Sequence, residues 1–252
     1  MAQPLDGKVA IVTGAGGGLG RAQAHALARL GAQVIAHDRD AEAVANTVAA
    51  LLAEGASGEA AIGDIADTAA FRQAAADIER RHGRIDILVN NAGIGGGEPF
   101  EDVSEARFDE IFRTNVRAPF FAAQAVIGGM KARGWGRIVN ISSLIALRGA
   151  DGNPHYAGSK TALFGFTRSW AIEFAPYGIT VNTVVPSFIE TPMATAHFDD
   201  AEFARRAAAN PAQRLATPED VAGVVAYLAG PGAAFVNGQT ISPNGGDFVG
   251  AM

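Results

Sequence analysis

Segments with strand character and segments with helix character alternate along almost the whole chain, and this alternation limits the fold more than any other feature. Lys8 to Thr13, Gln33 to Asp38, Ile85 to Asn90, Arg137 to Ser142 and Ile179 to Val185 are short, largely apolar runs. A weaker run covers Glu59 to Asp64, and Phe235 to Ile241 completes a set of seven. Between them, apolar residues recur at helical spacing: Arg21 to Leu30 (closing at Gly31), Ala41 to Ala53, Thr68 to His82, Ser104 to Arg133, Tyr156 to Phe174 and Thr217 to Leu228. Thr217-Pro218-Glu219-Asp220 is a strong helix start, with Thr as N-cap, Pro at the first position and an acid at the third. Continuous apolar strands are buried on both faces, and strands separated by helices pair in parallel. The pattern predicts an α/β fold, a doubly wound parallel sheet of about seven strands with helices on both faces. No linker and no repeat interrupts it, so residues 1–252 read as one domain. The longest stretch without a clear element is 186–216, which holds Pro186, Pro192 and Pro211 with apolar Phe188, Ile189, Met193, Phe198 and Phe203. Such a segment reads as a substrate lid, or as an ordinary surface excursion with a short helix.

Composition excludes several classes of chemistry. The 252 residues contain no cysteine, which removes disulfides, iron–sulfur clusters, thiolate zinc sites and a cysteine nucleophile. The five histidines lie at 25, 37, 82, 155 and 197, with no pair at metal-ligand spacing, so no metal is expected. Twenty Lys and Arg against 26 Asp and Glu leave a net charge of −6, which argues against a nucleic-acid-binding surface. No apolar run is long enough to span a membrane, and Met1 to Gly7 lacks the shape of a signal peptide. The expectation is a cytoplasmic protein with neither membrane nor nucleic acid as partner. Glycine is abundant, with 31 residues, so the positions of those glycines carry information.

Seven residues after the first strand, Gly14-Ala15-Gly16-Gly17-Gly18-Leu19-Gly20, hold five of them. Glycines between a strand and a helix let the backbone turn tightly and approach a pyrophosphate, which the helix N-terminus then receives on its unpaired N–H groups. The literal G-x-G-x-x-G spacing is absent. Gly14, Gly18 and Gly20 give T-G-x-x-x-G-x-G, while Gly14, Gly17 and Gly20 give T-G-x-x-G-x-x-G, and the run alone does not choose between them. Asp38 ends the second strand 24 residues after Gly14. An acid there can accept hydrogen bonds from the adenosine ribose and repel a 2′-phosphate. NAD is therefore favoured over NADP, although Arg39 beside it keeps NADP open.

Further along stand Asn90-Asn91-Ala92-Gly93 after the fourth strand, Asn115 in the long helical pattern, Ser143 past the fifth strand, and Tyr156 with Lys160. Tyr156 and Lys160 are four apart, so a helix places them on one face. An ammonium beside a phenol favours the phenolate, which makes tyrosine a usable acid and base at neutral pH. Each of these features is weak alone.

Together they are specific, and the sequence resembles the short-chain dehydrogenase/reductase family, in its branch of roughly 250 residues, over essentially its whole length. Thr13-Gly14 with Gly18 and Gly20 matches the family's T-G-x-x-x-G-x-G. Asn90 to Gly93 matches N-N-A-G, and Tyr156 with Lys160 matches Y-x-x-x-K. Ser143 precedes Tyr156 by the family's usual 13 residues, and Asn115 matches the Asn of its tetrad. Asp64-Ile65 resembles its adenine-contacting acidic motif. Three departures stand out: Pro186-Ser187 where Pro-Gly is common, Asn244-Gly245-Gly246 in place of D-G-G, and Gly158 in place of Ala. The first leaves the details of the nicotinamide wall in doubt.

The resemblance implies a single dinucleotide-binding catalytic domain of Rossmann type. Tyr156 would transfer the proton at the substrate oxygen and Ser143 would hold that oxygen. Lys160 would lower the tyrosine pKa and bind the nicotinamide ribose, and Asn115 would hold a water linked to Lys160. The cofactor set would be Gly14, Gly18, Leu19, Gly20, Asp38, Asp64, Ile65, Asn91, Ala92, Gly93, Tyr156, Lys160, Pro186, Ile189 and Thr191. Leu144, Ile145, Phe188 and Met193 would line an apolar substrate pocket. Arg148 and His155 read as solvated surface residues, with contact to an acidic or polar end of the substrate as the alternative, and Trp135 and Trp170 as core or subunit contact. The expected reaction is interconversion of a small-molecule secondary alcohol and a ketone with NAD(H), in a homotetramer or dimer pairing the helices that begin near Ser104 and Tyr156. The string of residues 14–22 also resembles that of 3-hydroxyacyl-CoA dehydrogenases, which keeps a 3-oxoacyl thioester as an alternative substrate. A nucleotide-sugar epimerase would use the other glycine spacing and a longer chain. A non-catalytic NAD(P) sensor would show a broken tetrad, whereas all four groups are present.

Overall fold

The computed structural model describes residues 3–190, 195 and 199–250. Its centre is a parallel sheet, which has seven strands among these residues: β1 (Val9–Thr13), β2 (Gln33–Asp38), β3 (Gly58–Ile62), β4 (Ile87–Asn90), β5 (Gly136–Ile141), β6 (Ile179–Val184) and β7 (Thr240–Ile241). Their order across the sheet is β3-β2-β1-β4-β5-β6-β7, and every pairing is parallel. Each residue of β1, β4, β5 and β6 is buried, as continuous apolar runs require. Side chains alternate between two faces. Ala10, Val12, Val34 and Val89 join one apolar cluster with Ala24 and Leu27 of α1 (Gly18–Ala28) and Val221 and Val225 of α9 (Pro218–Ala229). Ile11, Ile35 and Leu88 join the other, with Phe71 of α3 (Thr68–His82), Val126 of α5 (Ala118–Arg133) and Trp170 of α7 (Pro154–Phe174). This is the Rossmann architecture expected from the alternation.

The strand order reverses between β1 and β4. Loops at the carboxyl ends of those two strands diverge there and open a crevice, the usual ligand position of such sheets.

Most helix ends follow their sequence signals. Asp40 caps α2 (Ala41–Ala53), Asp67 caps α3, and Thr217 with Asp220 forms the reciprocal capping box of α9. Three expectations need correction. First, α1 begins at Gly18, inside the glycine run, and not at Arg21. Second, the helical pattern from Ser104 to Arg133 is not one helix. It divides into α4 (Glu105–Phe112), a π-helical turn (Arg113–Arg117) and α5. Pro119 supplies the cause: it has no N–H to continue the ladder and its ring crowds the preceding turn. Third, β7 is only two residues long, and Phe235, expected to begin it, is fully exposed. The 186–216 segment holds a short helix, as its second reading allowed: α8 (Asp200–Ala209), capped by Asp199.

No described helix is long and apolar enough to cross a membrane.

Candidate active site

At the crevice, the glycines divide by what they permit. Gly14 and Gly18 have φ of 69° and 50°, where side chains are strained. A Cβ on Gly20 would lie 2.0 Å from the Gly14 carbonyl oxygen, whereas one on Gly17 would meet nothing within 4 Å. The backbone therefore demands glycine at 14, 18 and 20 and not at 17, which agrees with the family spacing and resolves what the glycine run alone left open. Leu19 follows at the first turn of α1 and packs against the core. Gly17 occupies the N-cap without a capping side chain, so the first N–H groups of α1 face the crevice uncapped, a cradle suited to phosphate oxygens.

Asp38 sits partly buried beside this cradle. Its Oδ2 accepts from Gly16 N at 2.8 Å and its Oδ1 from Asp40 N at 3.1 Å. Arg21 donates to Gly16 O at 2.8 Å and to Thr47 Oγ1 at 2.9 Å, so its charge is spent on bracing the loop. Arg39 is exposed and makes no ion pair among the described residues. Asp64 is exposed, with its Oδ1 accepting from Ala66 N at 2.9 Å, and Ile65 is buried in the core. His37, next to Asp38, is buried against Phe71, and burial lowers its pKa despite the nearby carboxylates of Asp38 and Asp64.

The loop after β4 is tied to the loop after β1. Thr13 Oγ1 accepts from both Asn91 N and Ala92 N at 3.0 Å, and Asn91 Nδ2 donates to Thr13 O at 2.9 Å. Gly93 lies against the other half of the site: a Cβ there would be 3.0 Å from Lys160 Nζ and 3.1 Å from Asn115 Oδ1. Asn90 turns inward, where a chain of hydrogen bonds runs through Asn140 and Thr167 to Thr183, all buried.

Ser143, Tyr156, Lys160 and Asn115 come together at the carboxyl ends of β4 and β5. Ser143 follows β5 and stands close enough to the Tyr156 phenol to lower its pKa. Lys160, buried one turn further along α7, donates to Ile141 O at 3.0 Å, and its ammonium stands 5.9 Å from the centre of the tyrosine ring. Asn115 lies in the π-helical turn, a feature that recurs at functional sites. Its Oδ1 accepts from Ile94 N at 2.9 Å, and its Nδ2 donates to Ile94 O at 3.0 Å and to Ser159 Oγ at 3.1 Å.

The electrostatics refine the expectation for the Tyr–Lys pair. Burial pushes the Tyr156 phenol above its ordinary value, and the nearby Ser143 hydroxyl only partly offsets this. Burial also brings the Lys160 ammonium down to about 8. The ammonium does not by itself lower the phenol, because desolvation dominates both groups.

Ile189 is buried and bridges to Ala216, and Pro186 O accepts from Leu144 N at 2.9 Å. Ser187, at the departure from Pro-Gly, keeps a buried hydroxyl without a hydrogen-bond partner. Of the expected pocket wall, Ile145 opens the short α6 (Ile145–Arg148), and Phe188 lies half-buried against Phe203 of α8. Leu144 differs: it is 2% exposed and packs with Phe164 and Val185, so it braces the wall from behind. Thr191, Met193 and Phe198 lie outside the described residues. One surface reading changes: His155 is buried and faces Glu98, whereas Arg148 is exposed as expected and pairs with Asp247. Trp170 stacks in the core on Phe166, while Trp135 is held between Lys8 and Arg137.

A glycine-cradled helix N-terminus beside a half-buried Ser–Tyr pair backed by a buried lysine defines a nucleotide-dependent oxidoreductase of Rossmann type. The comparisons agree. A family model described as enoyl-(acyl carrier protein) reductase matches residues 14–247. The 3-oxoacyl-[acyl-carrier-protein] reductase FabG of Vibrio cholerae is 39% identical over 97% of this chain and 99% of its own. A gluconate 5-dehydrogenase from Burkholderia cenocepacia, solved with NADP and tartrate, superimposes with a TM-score of 0.91 at 36% identity, covering 96% of both chains. Levodione reductase gives a TM-score of 0.91 at 33% identity, over 96% of this chain and 98% of its own. The chain belongs to the short-chain dehydrogenase/reductase family.

Proposed function

We propose that the protein interconverts a secondary alcohol and a ketone by hydride transfer to and from a nicotinamide cofactor, with Tyr156 as the general acid and base. The observation that carries this reading is the proximity of half-buried Ser143 and Tyr156 to buried Lys160 at the mouth of the dinucleotide crevice. The cradle fits a dinucleotide, since Gly14 and Gly20 leave no room for a side chain where a pyrophosphate would approach and α1 opens without a capping group.

When bound, the cofactor supplies or accepts the hydride. The chain's own residues do the rest. Ser143 holds the substrate oxygen beside the phenol, which fixes the distance for proton transfer. Tyr156 gives its proton to a forming alkoxide in reduction and removes it in oxidation. Its raised pKa keeps the phenol protonated at neutral pH, which suits the reductive direction. Lys160 holds a cation next to the phenol with no carboxylate paired to it among the described residues, so a phenolate left by proton transfer is stabilised. Asn115 grips Ile94 and Ser159 and thereby fixes Gly93 against Lys160. Thr191 would complete the nicotinamide site.

For the cofactor, Asp38 favours NAD(H), because a carboxylate at this strand end repels a 2′-phosphate. Arg39 beside it, and the NADP held by the Burkholderia relative, support NADP as the second reading. For the substrate, the FabG relatives support a 3-oxoacyl thioester alongside a small ketone. Copies would associate through α4, α5 and α7, where a groove lined by Phe112, Val116, Phe120, Phe121 and Phe166 lies open. Light scattering should then give a dimer or tetramer mass; a monomer refutes it.

The function is tested by following NADH and NADPH oxidation at 340 nm with a panel of small ketones, a 5-oxo sugar acid and an acetoacetyl thioester. Turnover of at least one ketone, faster with NADH, is the expected result. Tight cofactor binding with no turnover anywhere in the panel would favour a non-catalytic sensor.

A further inference from the structure

Gly95-Gly96-Gly97 lies outside the family motifs, yet its loop is held at every step. Asn115 takes both backbone groups of Ile94. Arg107 of α4 donates to Gly95 O at 2.6 Å and to Glu98 Oε1 at 2.8 Å, and its remaining arm pairs with Glu110. Glu98 Oε2 stands 2.9 Å from His155 Nε2. His155 is the residue before Tyr156 and its side chain is 2% exposed; the approach of Nε2 to Glu98 Oε2 is a close ion-pair contact rather than an aligned hydrogen bond, and neither ring nitrogen has a hydrogen-bond partner among the described residues. Gly96 is pressed onto the same end of α7: a Cβ there would meet Asn153 Oδ1 and Tyr156 Cβ at 3.0 Å and His155 Cε1 at 3.1 Å.

The arrangement links α4 to the first turn of α7 through a loop that has no room for a side chain at its middle. It is unlike a surface ion pair. The carboxylate of Glu98 is shared between a guanidinium on one element and a buried imidazole on another, and the imidazole adjoins the reactive tyrosine. Arg107 alone would anchor the loop. The Glu98–His155 contact adds a connection to α7 itself, and Gly96 lets the two surfaces close to van der Waals distance.

We propose that Arg107, Glu98 and His155 form a positioning unit that holds the first turn of α7, and with it Tyr156, against the 94–98 loop. The proposal rests on Tyr156 being the proton-transfer residue. The unit does not touch the reacting atoms. It acts by restricting where the phenol can stand relative to Ser143, a geometry on which proton transfer depends steeply.

The test uses the full-length protein and the best ketone from the panel above. Glu98→Gln, His155→Leu and His155→Gln are assayed for kcat, KM and NADH dissociation, with Tyr156→Phe alongside. Glu98→Gln keeps the shape and removes the charge; His155→Gln keeps an amide nitrogen near the Nε2 position. The expected result is a fall in kcat on the order of tenfold or more in Glu98→Gln and His155→Leu. NADH dissociation should stay within about twofold of wild type, and His155→Gln should recover most of kcat. Wild-type kcat in Glu98→Gln overturns the unit, as does a loss of kcat that is equal in His155→Leu and His155→Gln and matched by weaker NADH binding. Should His155→Leu not fold, Glu98→Gln decides, because Glu98 is partly exposed. Turnover by Tyr156→Phe would instead remove the reading beneath the proposal, an outcome distinct from wild-type kcat in Glu98→Gln beside an inactive Tyr156→Phe.

Discussion

Two buried charges sit at opposite ends of the same sheet and are treated in opposite ways. Asp86, at the amino end of β4, is fully buried and fully partnered. It accepts from Val9 N at 3.0 Å and from both Arg84 Nε at 2.6 Å and an Arg84 terminal nitrogen at 2.9 Å, with Arg133 Nε 3.8 Å away. Lys160, at the carboxyl end of β5, is also buried, and among the described residues its ammonium donates to a backbone carbonyl and makes no ion pair. The first arrangement satisfies a charge and ties strand to strand. The second leaves a cation uncompensated beside a phenol. Buried charges without partners are costly and persist where chemistry needs them. On the function proposed above, the difference divides the sheet into a lower end that serves stability and an upper end that serves reaction.

The comparison can be broken most sharply at Lys160. Lys160→Met should lower kcat/KM by about 10²–10⁴ while holding or raising the melting temperature of the cofactor-free protein, since it removes a desolvated ammonium. A variant that is both inactive and much less stable would show that Lys160 is a structural group. Asp86→Ala should do the reverse. Leaving Arg84 short of its buried partner should cost ~3 kcal/mol in denaturant unfolding, while kcat per folded molecule stays near wild type.

A smaller effect lies in the pH dependence of stability. Lys160 titrates at about 8 in the fold and near 10.4 in an unfolded chain. Below pH 8 both states hold the proton and the fold bears the whole penalty. Between those values the native state has released the proton and the unfolded state has not, so stability rises with pH. Wild type should therefore gain on Lys160→Met between pH 8 and 9.5 in urea unfolding, by at most roughly 1.4 kcal/mol per pH unit. Parallel profiles would contradict the assignment. Tyr156 acts in the opposite sense above pH 10, because its raised pKa lets the unfolded phenol ionise first. The smallest expected effect is at the outer rim of the upper end. Asp38→Ala should shift the NADH/NADPH preference in kcat/KM toward NADPH by about tenfold, and an unchanged ratio would move the determinant elsewhere.

Much of this division was legible before any coordinates. Apolar runs located the strands because parallel strands are buried on both faces. Tyr156 and Lys160 share a helix face by spacing alone. The glycine run was ambiguous for a physical reason: composition cannot show that Gly18 has positive φ or that Gly20 faces the Gly14 carbonyl. Pro119 was a visible signal for the break in the long helix, but side-chain periodicity runs straight through a π-helical turn and hid it. The Glu98–His155 contact joins residues 57 apart in the chain, which only the packing of α4 against α7 brings together. His155 reads as a surface residue in isolation because nothing local marks its burial.

The account stands or falls on Tyr156. Steady-state turnover of Tyr156→Phe, with NADH binding measured on the same preparation by nucleotide fluorescence, tests it most directly. The predicted result is wild-type cofactor affinity with turnover reduced by about 10²-fold or more. Turnover close to wild type in a variant that binds NADH normally would show that the phenol is not the group that moves the proton.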